Sequence, residues 1–441
     1  MRIATAILIG AALAGLAAGA RGQDMQNMPG MQHGRPAQSA PANGAAQTDL
    51  SGTEGGMTMM AGSLGRYAMM RDASGTAWQP DSTPMEGLHW QSGGWTGMVH
   101  GYADLVYDHQ GGPRGGAKTF SESMFMVMAQ HAAGPGTLTL RTMLSLDPAM
   151  GKDGYPLLLQ TGETADGVTP LVDRQHPHDL FMELAGVYSL PVGDTSSAFF
   201  YFGYPGEPAL GAPTFMHRFS GMDDPAAPIT HHWLDSTHIT FGVLTAGFVH
   251  DDWKLEVSRF TGREPDQFRF NFDPARFDST SARLSWNPDS HWALQASWGF
   301  LKSPEQLAPA QNETRYTASA IYVTPVGEDG SWSAMLAWGR KQLSSGLGLN
   351  GFLAETEFKP SDPWTFFARA ESVESDEWFA SGTVHTAQKV SLGAIHDWRV
   401  AEHVKFGIGG LYAFDFVPSA PTPSYGSDPH GAMVFLRLIA E

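Results

Sequence analysis

From Gly94 onward the chain alternates between apolar and polar positions. In GWTGMVHGYADLVYDH one set is Trp95, Gly97, Val99, Gly101, Ala103, Leu105 and Tyr107. The other is Thr96, Met98, His100, Tyr102, Asp104, Val106 and Asp108. Period two is the signature of a strand with unlike faces, the first suited to lipid and the second to a wet lumen. Trp95 and Tyr107 stand twelve residues apart, which spans roughly 28 Å on a strand tilted by about 45°. That is close to the height of a bilayer's apolar band, with an aromatic at each edge.

The pattern recurs as hairpins. SARLSWNPDSHWALQASWGF folds at Asn287-Pro288-Asp289-Ser290, with Trp292, Leu294, Ala296, Trp298 and Phe300 on one face and His291, Gln295 and Ser297 on the other. In AETEFKPSDPWTFFARAE, Trp364, Phe366, Ala368 and Ala370 oppose Arg369 and Glu371, which share a side with Glu355, Glu357 and Lys359. Short turns are expected near 133–136, 191–196, 250–252, 287–290, 325–330, 359–363 and 397–403, and long connections over 147–177 and 205–235. The last stretch, HGAMVFLRLIAE, alternates Ala432, Val434, Leu436 and Leu438 against Met433, Phe435 and Arg437, and resembles the C-terminal assembly strand of outer-membrane proteins.

The fold class expected is all-β: a transmembrane antiparallel β-barrel of the outer membrane over 94–441, with about 16 strands (about 12–18). A soluble sandwich or propeller is the alternative, but it needs few Trp at strand ends. Ahead of the barrel, 1–20 reads as a signal peptide: Arg2, then an apolar run, then Ala18-Gly19-Ala20. Residues 21–93 read as a disordered, Met/Gly/Pro-rich periplasmic tail, with a short helix expected over 58–70.

Composition sharpens this picture. Thirteen Trp, 25 Phe and 11 Tyr accompany 51 Gly, and no cysteine is present. Thiolate sites and cysteine nucleophiles are therefore excluded. A net charge of −18 argues against nucleic acid as a partner. There is no G-x-S-x-G elbow and no H-E-x-x-H, so no enzyme is expected.

The candidate chemistry is metal binding. MQNMPGMQH places Met25, Met28 and Met31 at intervals of three, closed by His33. A second group holds Met57, Met59, Met60, Met69 and Met70. Thioethers are soft, neutral ligands that select Cu(I) over Mg²⁺ or Ca²⁺. Compositional drift in a polar tail explains them equally well. In SESMFMVMAQH, Met124, Met126 and Met128 share one strand face, with Met98 and Met143 available on neighbouring strands. These sulfurs line the lumen as ligands if the other face meets lipid; otherwise the faces are reversed or the sulfurs pack against an internal plug. DRQHPHD offers Asp173, His176, His178 and Asp179, and THHWLDSTHITFG offers His231, His232, Asp235 and His238, with Met216 and His217 just upstream. Imidazoles with carboxylates suit Cu(II) or Zn(II); a hydrogen-bonded loop folded into the lumen is the bland alternative. GREPDQFRFNFDPARFDS, with Arg263, Glu264 and Asp266, reads as a salt-bridged loop.

DRQHPHD, THHWLDSTHITFG and GREPD resemble segments of a poorly characterised group of proteobacterial outer-membrane barrels linked with copper and heavy-metal resistance. The Met-rich tail is similar to that of the copper-resistance B family. These resemblances imply an outer-membrane barrel that binds or handles copper, with lipid around it and periplasmic copper proteins as partners of its tail. A general diffusion porin with an acidic, cation-favouring lumen is the alternative. A soluble periplasmic ligand-binding β-protein is a third reading.

Overall fold

The computed structural model describes residues 53–54, 57–58, 60–84, 87–379, 381–417 and 422–440. Sixteen strands, from Trp95–Gln110 to His430–Ala440, pair antiparallel with their neighbours and close into a barrel. Closure joins the last strand to the first, from Gly431 opposite Gln110 to Ala440 opposite Gly101. Beyond Ala440, the short strand Leu88–Ser92 takes over beside residues 95–99 and turns through Gly93-Gly94. Both glycines have positive φ, +57° and +83°. A two-residue hairpin loop needs that geometry, which glycine adopts without a Cβ clash.

The alternation decides which way each side chain faces. Leu105 and Tyr107 are exposed, whereas Met98, Tyr102, Asp104, Val106 and Asp108 are buried. Trp292, Trp298, Trp364 and Phe366 point outward, and Glu355, Glu357, Arg369 and Glu371 inward. Strands end at the seven short turns expected, for example Ala133 to Gly136, His250 to Trp253 and Ser361 to Trp364. Trp253 stacks on Trp286 at 4.8 Å, and Trp292 lies 4.8 Å from Tyr322, so aromatic pairs line the short-turn end of these neighbouring strands.

The lumen is not left to water. The connection from Gly203 to Val243 folds inside, and from Pro205 to Gly242 every residue is buried except the partly buried His217 and Met222. The connection before it, between Leu144 and Phe181, forms a hairpin of Tyr155–Thr164 with Pro170–Gln175. These segments carry few ladder hydrogen bonds of their own, so wall side chains must satisfy them. Arg218 pairs with Asp235 and, at 2.7 Å, with Glu355. Arg369 meets Asp224 at 3.1 Å and the Ala226 carbonyl at 2.6 Å. Arg437 joins Asp104 at 2.8 Å and also Asp223. A helical turn, His231–Leu234, presses Trp233 against the wall where a Cβ on Gly351 would come within 2.8 Å of it.

The expectations for the tail are corrected in part. From Met60 to Pro84 the chain is ordered and packed within the barrel rather than disordered, and it forms a single 3-10 turn, Met69–Arg71, rather than a helix over 58–70. Its carbonyls are taken up from the wall: Ser197 donates to Leu64 at 2.7 Å, Gln130 to Ala61 at 2.9 Å and Asn287 to Gln79 at 2.9 Å. Lys254 donates to Thr76, and Arg71 bridges Asp81 at 2.6 Å and Asp252 at 3.1 Å. Polar wall residues hold this strandless segment in place. Residues 1–50, with the signal peptide and the first Met group, lie outside the described residues.

Two outcomes test this architecture. Leu336 is 65% exposed in the middle of strand Gly330–Leu343, so Leu336→Arg costs about 2–4 kcal/mol of folding into lipid vesicles. A loss below about 0.5 kcal/mol would mean that this face does not meet lipid. Arg218→Ala strands Asp235 and Glu355 without their buried cation, and costs about 3–5 kcal/mol. Limited proteolysis within 205–242 should report the released loop; wild-type resistance in a folded variant would mean the pairs do not hold it.

Candidate functional site

Two groups of potential ligands sit in the filled lumen. The first is built by strand register. His100 lies opposite Met126, and Met126 opposite Met143, so one row crosses three adjacent strands. The flanking rows pair Met98 with Met128 and Tyr102 with Met124. All five methionines are buried on the inner face, while Phe125 and Val127 between them are exposed. The inward facing of these methionines follows the alternation, and they pack in one core with Met60, Met69 and Met216 of the internal segments, as the plug alternative has it. The plug faces the same space: Met69 and Met70 approach from the N-terminal segment, and His217 and Met222 from the long loop. Between them lies a cavity of about 120 Å³.

Within this chamber His100 Nε2 sits 3.3 Å from Met126 Sδ, and His217 Nε2 sits 3.4 Å from Met143 Sδ. The two rings are 6.2 Å apart. A nitrogen at about 2.0 Å and a sulfur at about 2.3 Å around a tetrahedral ion are separated by about 3.5 Å. Each pair therefore has nearly the spacing of two ligands on one ion. Burial lowers His217 from 6.5 to about 3, with His100 and Arg141 adding to the shift, so it stays in the neutral, ligand-competent form. Arg141 brings no free charge, since it pairs with Glu183 at 2.8 Å and with the Gly75 carbonyl.

The second group lies toward the long loops. His176, His178, His231, His232 and His238 are all buried. Ring centroids of His231 and His238 are 5.1 Å apart, those of His178 and His238 5.2 Å, and those of His176 and His232 5.8 Å. Phe215 packs among them, 5.5 Å from His231 and 6.0 Å from His178. Three of the rings are oriented through Nδ1: His178 by Asp147 at 2.8 Å, His231 by Asp235 at 2.7 Å, and His238 by the Asp235 carbonyl at 2.9 Å. That leaves Nε2 of His178 and His238 buried without a hydrogen-bond partner among the described residues. Fixing one ring nitrogen to orient the other is how second partners prepare imidazole ligands. Burial, reinforced by neighbouring imidazoles, holds His176 and His238 well below their ordinary range.

The predicted carboxylates do other work. Asp173 takes Arg114 at 2.6 Å and the Tyr425 hydroxyl at 2.9 Å, and Asp179 takes Arg269 at 3.1 Å. Both clamp loops. Asp235 orients His231 and pairs with Arg218. His232 instead meets Glu264, whose Oε1 lies 3.4 Å from its Nδ1. Sequence reasoning left Glu264 in a salt-bridged loop and did not single out Glu305. Among the described residues, His232, Glu264 and Glu305 form a set whose ligand atoms lie within 4.8 Å of one another. Burial, then Glu264, raises the Glu305 carboxyl to about 8. A small cavity lined by Met143, Met182 and His238 lies between the two groups. Met60 is buried in the same core as the chamber methionines. Met57 belongs to a two-residue strand, Met57–Thr58. Met25, Met28, Met31, His33 and Met59 lie outside the described residues.

Solved outer-membrane proteins share this fold. Pseudomonas putida OprB in its high-pH structure has a TM-score of 0.51 at 9% identity, over 79% of this chain and 94% of that one. Salmonella typhi OmpF in complex with daunomycin follows at 0.48 and 10%, over 80% and 100%. The Acinetobacter baumannii outer membrane channel DcaP gives 0.46 and 8%, over 80% and 100%. No family model and no curated protein matches the chain. What the likeness to OprB shows is the fold, a closed antiparallel β-barrel of sixteen strands.

The neutral His217 has a measurable consequence. Its folded pKa of about 3 lies below the ordinary 6.5. As pH falls below 6.5, the unfolded chain takes up a proton that the folded one refuses. Stability therefore drops toward pH 3, by up to about 1.4 kcal/mol per pH unit from this group. Urea midpoints of metal-free protein in vesicles, compared at about pH 7 and pH 4, should fall more in wild type than in His217→Gln. Equal falls would mean that His217 protonates freely in the folded state.

Proposed function

We propose that the protein binds and passes a soft metal ion, copper first among them, through the filled lumen of its barrel. The observation that carries this reading is the row His100, Met126 and Met143 across three strands, with His100, Met98, Met124, Met126 and Met128 on one cavity. Neutral thioethers bind Cu(I) without a proton to lose, and they attract Mg²⁺ or Ca²⁺ poorly. The ion here is cargo, and no catalysis is implied. Met25, Met28, Met31 and His33 supply the same donor types ahead of the barrel, as a periplasmic capture segment that exchanges copper with periplasmic carriers.

The second reading is a diffusion porin. Its support is the closed barrel of sixteen strands, a size that leaves an aqueous channel when the lumen is empty. Against it stands the burial of 205–242, which occupies that space.

Silver(I) is a redox-stable probe for a Cu(I) site. Full-length protein folded in detergent should bind Ag(I), and Met126→Leu with Met128→Leu, which nearly conserves volume, should weaken binding by at least about tenfold. Unchanged Ag(I) affinity in that variant, together with a large constitutive conductance in planar bilayers, would replace this reading with the porin.

A further inference from the structure

We propose that His232, Glu264 and Glu305 form a second metal site, one for a borderline divalent cation such as Zn(II) or Cu(II), at the long-loop end of the barrel. This site is chemically distinct from the methionine chamber and does not depend on it. Its donors are one imidazole nitrogen and two carboxylates, and their ligand atoms all lie within 4.8 Å of one another. Nitrogen and oxygen donors in this ratio suit Zn(II) and Cu(II) and give a soft monovalent ion little to hold.

The independent sign is unmet hydrogen bonding. His232 is 3% exposed and Glu264 7%. His232 Nδ1 faces Glu264 Oε1 at 3.4 Å as an ion pair, while His232 Nε2 and Glu264 Oε2 have no hydrogen-bond partner among the described residues. The pair leaves one polar atom of each group unmet, and a buried polar atom without a partner is costly unless something else completes the set. The nearby cations make their direct contacts with other groups, although both carry charge near the two carboxylates. Arg315 holds Glu313 at 2.6 Å and the Ser236 hydroxyl at 2.9 Å, and Lys341 lies over the Trp233 ring at 4.9 Å.

The three ligands come from three separate loops, and the structure fixes each. His232 sits on the helical turn His231–Leu234. Its ring fills the space above Gly162, where a Cβ would come within 2.4 Å of Nε2. The loops that carry Glu264 and Glu305 are laced together beside the ligands. The Glu264 amide donates to the Pro304 carbonyl at 3.1 Å, and Arg263 donates to the Ser303 carbonyl and hydroxyl, both at 2.9 Å. Glu305 alone is partly exposed, which gives an ion a way in from the long-loop side. Such preorganisation lowers the entropy lost on binding.

Cobalt(II) is the probe, because its visible ligand-field bands report nitrogen and oxygen ligands directly. Full-length protein in detergent, titrated with Co(II) and then back-titrated with Zn(II), should show a saturable band that Zn(II) abolishes. Glu264→Gln keeps the shape and removes the charge, and should weaken Co(II) binding by at least about tenfold while Ag(I) binding stays at the wild-type level. Glu305→Gln, at the partly exposed position, serves if Glu264→Gln fails to fold. The site is refuted if wild-type protein gives no saturable band, or if a folded Glu→Gln variant binds Co(II) as tightly as wild type. Failure of the methionine chamber would show only in Ag(I), so the two readings fail separately.

Discussion

Everything inside this barrel answers to the cost of a buried charge. An exposed apolar outward face leaves the inward face to carry the polar residues, and a filled lumen takes those residues out of water. Each inward Arg and Glu then needs a partner, since an unpaired buried ion costs several kcal/mol. The wall supplies some of these partners itself, as where Arg283 meets Glu256 at 3.0 Å. The loop 205–242 supplies others through Asp223, Asp224 and Asp235, which meet Arg437, Arg369 and Arg218. The loop is held as much by electrostatic necessity as by apolar packing, which explains how so long a stretch stays buried with little regular structure.

This division of labour places the two ligand groups. Methionines occupy wall positions that elsewhere carry charges, because a thioether fills the lumen without needing a counter-ion. Histidines and carboxylates come from the loops, where bends can turn Nδ1 toward a partner and leave Nε2 unpaired. The soft donors therefore gather in paired rows across three adjacent strands, and the harder donors gather where the long loops converge. Met143 touches both regions, since it contacts His217 on one side and lines the small cavity with His238 on the other.

The two regions also differ in how far the sequence reveals them. Period-two alternation is a local property, so the facing of Met124, Met126 and Met128 is legible from SESMFMVMAQH alone. His100 stands on the polar side of its strand, and only the register with Met126 turns it into a neighbour of sulfur. The converging loops follow a different rule. His232, Glu264 and Glu305 are separated by about 70 residues of chain, and nothing in THHWLDSTHITFG or GREPD announces that these segments meet. GREPD reads as a salt-bridged loop because Arg263 and Glu264 are adjacent in sequence. In space Arg263 turns to Ser303 and leaves Glu264 to His232. The order in 60–84 was equally hidden: a Gly- and Met-rich stretch has the composition of a disordered tail, and its partners are side chains on distant strands.

The chemistry of the methionine chamber explains why such a site tolerates the middle of a charged lumen. A carboxylate site would have to compete with the built-in guanidinium groups, each already committed to an acid. Thioether sulfur does not attract those cations strongly, so Arg141 can stand at the chamber's edge, paired with Glu183, without occupying it. A soft monovalent ion entering the chamber exchanges one set of polarizable contacts for another and leaves the surrounding ion pairs intact. A divalent ion there would meet Asp72 as the one carboxylate of the lining, whereas two carboxylates stand together at the other end. The separation of donor types along the lumen thus follows from the same constraint that fills the barrel.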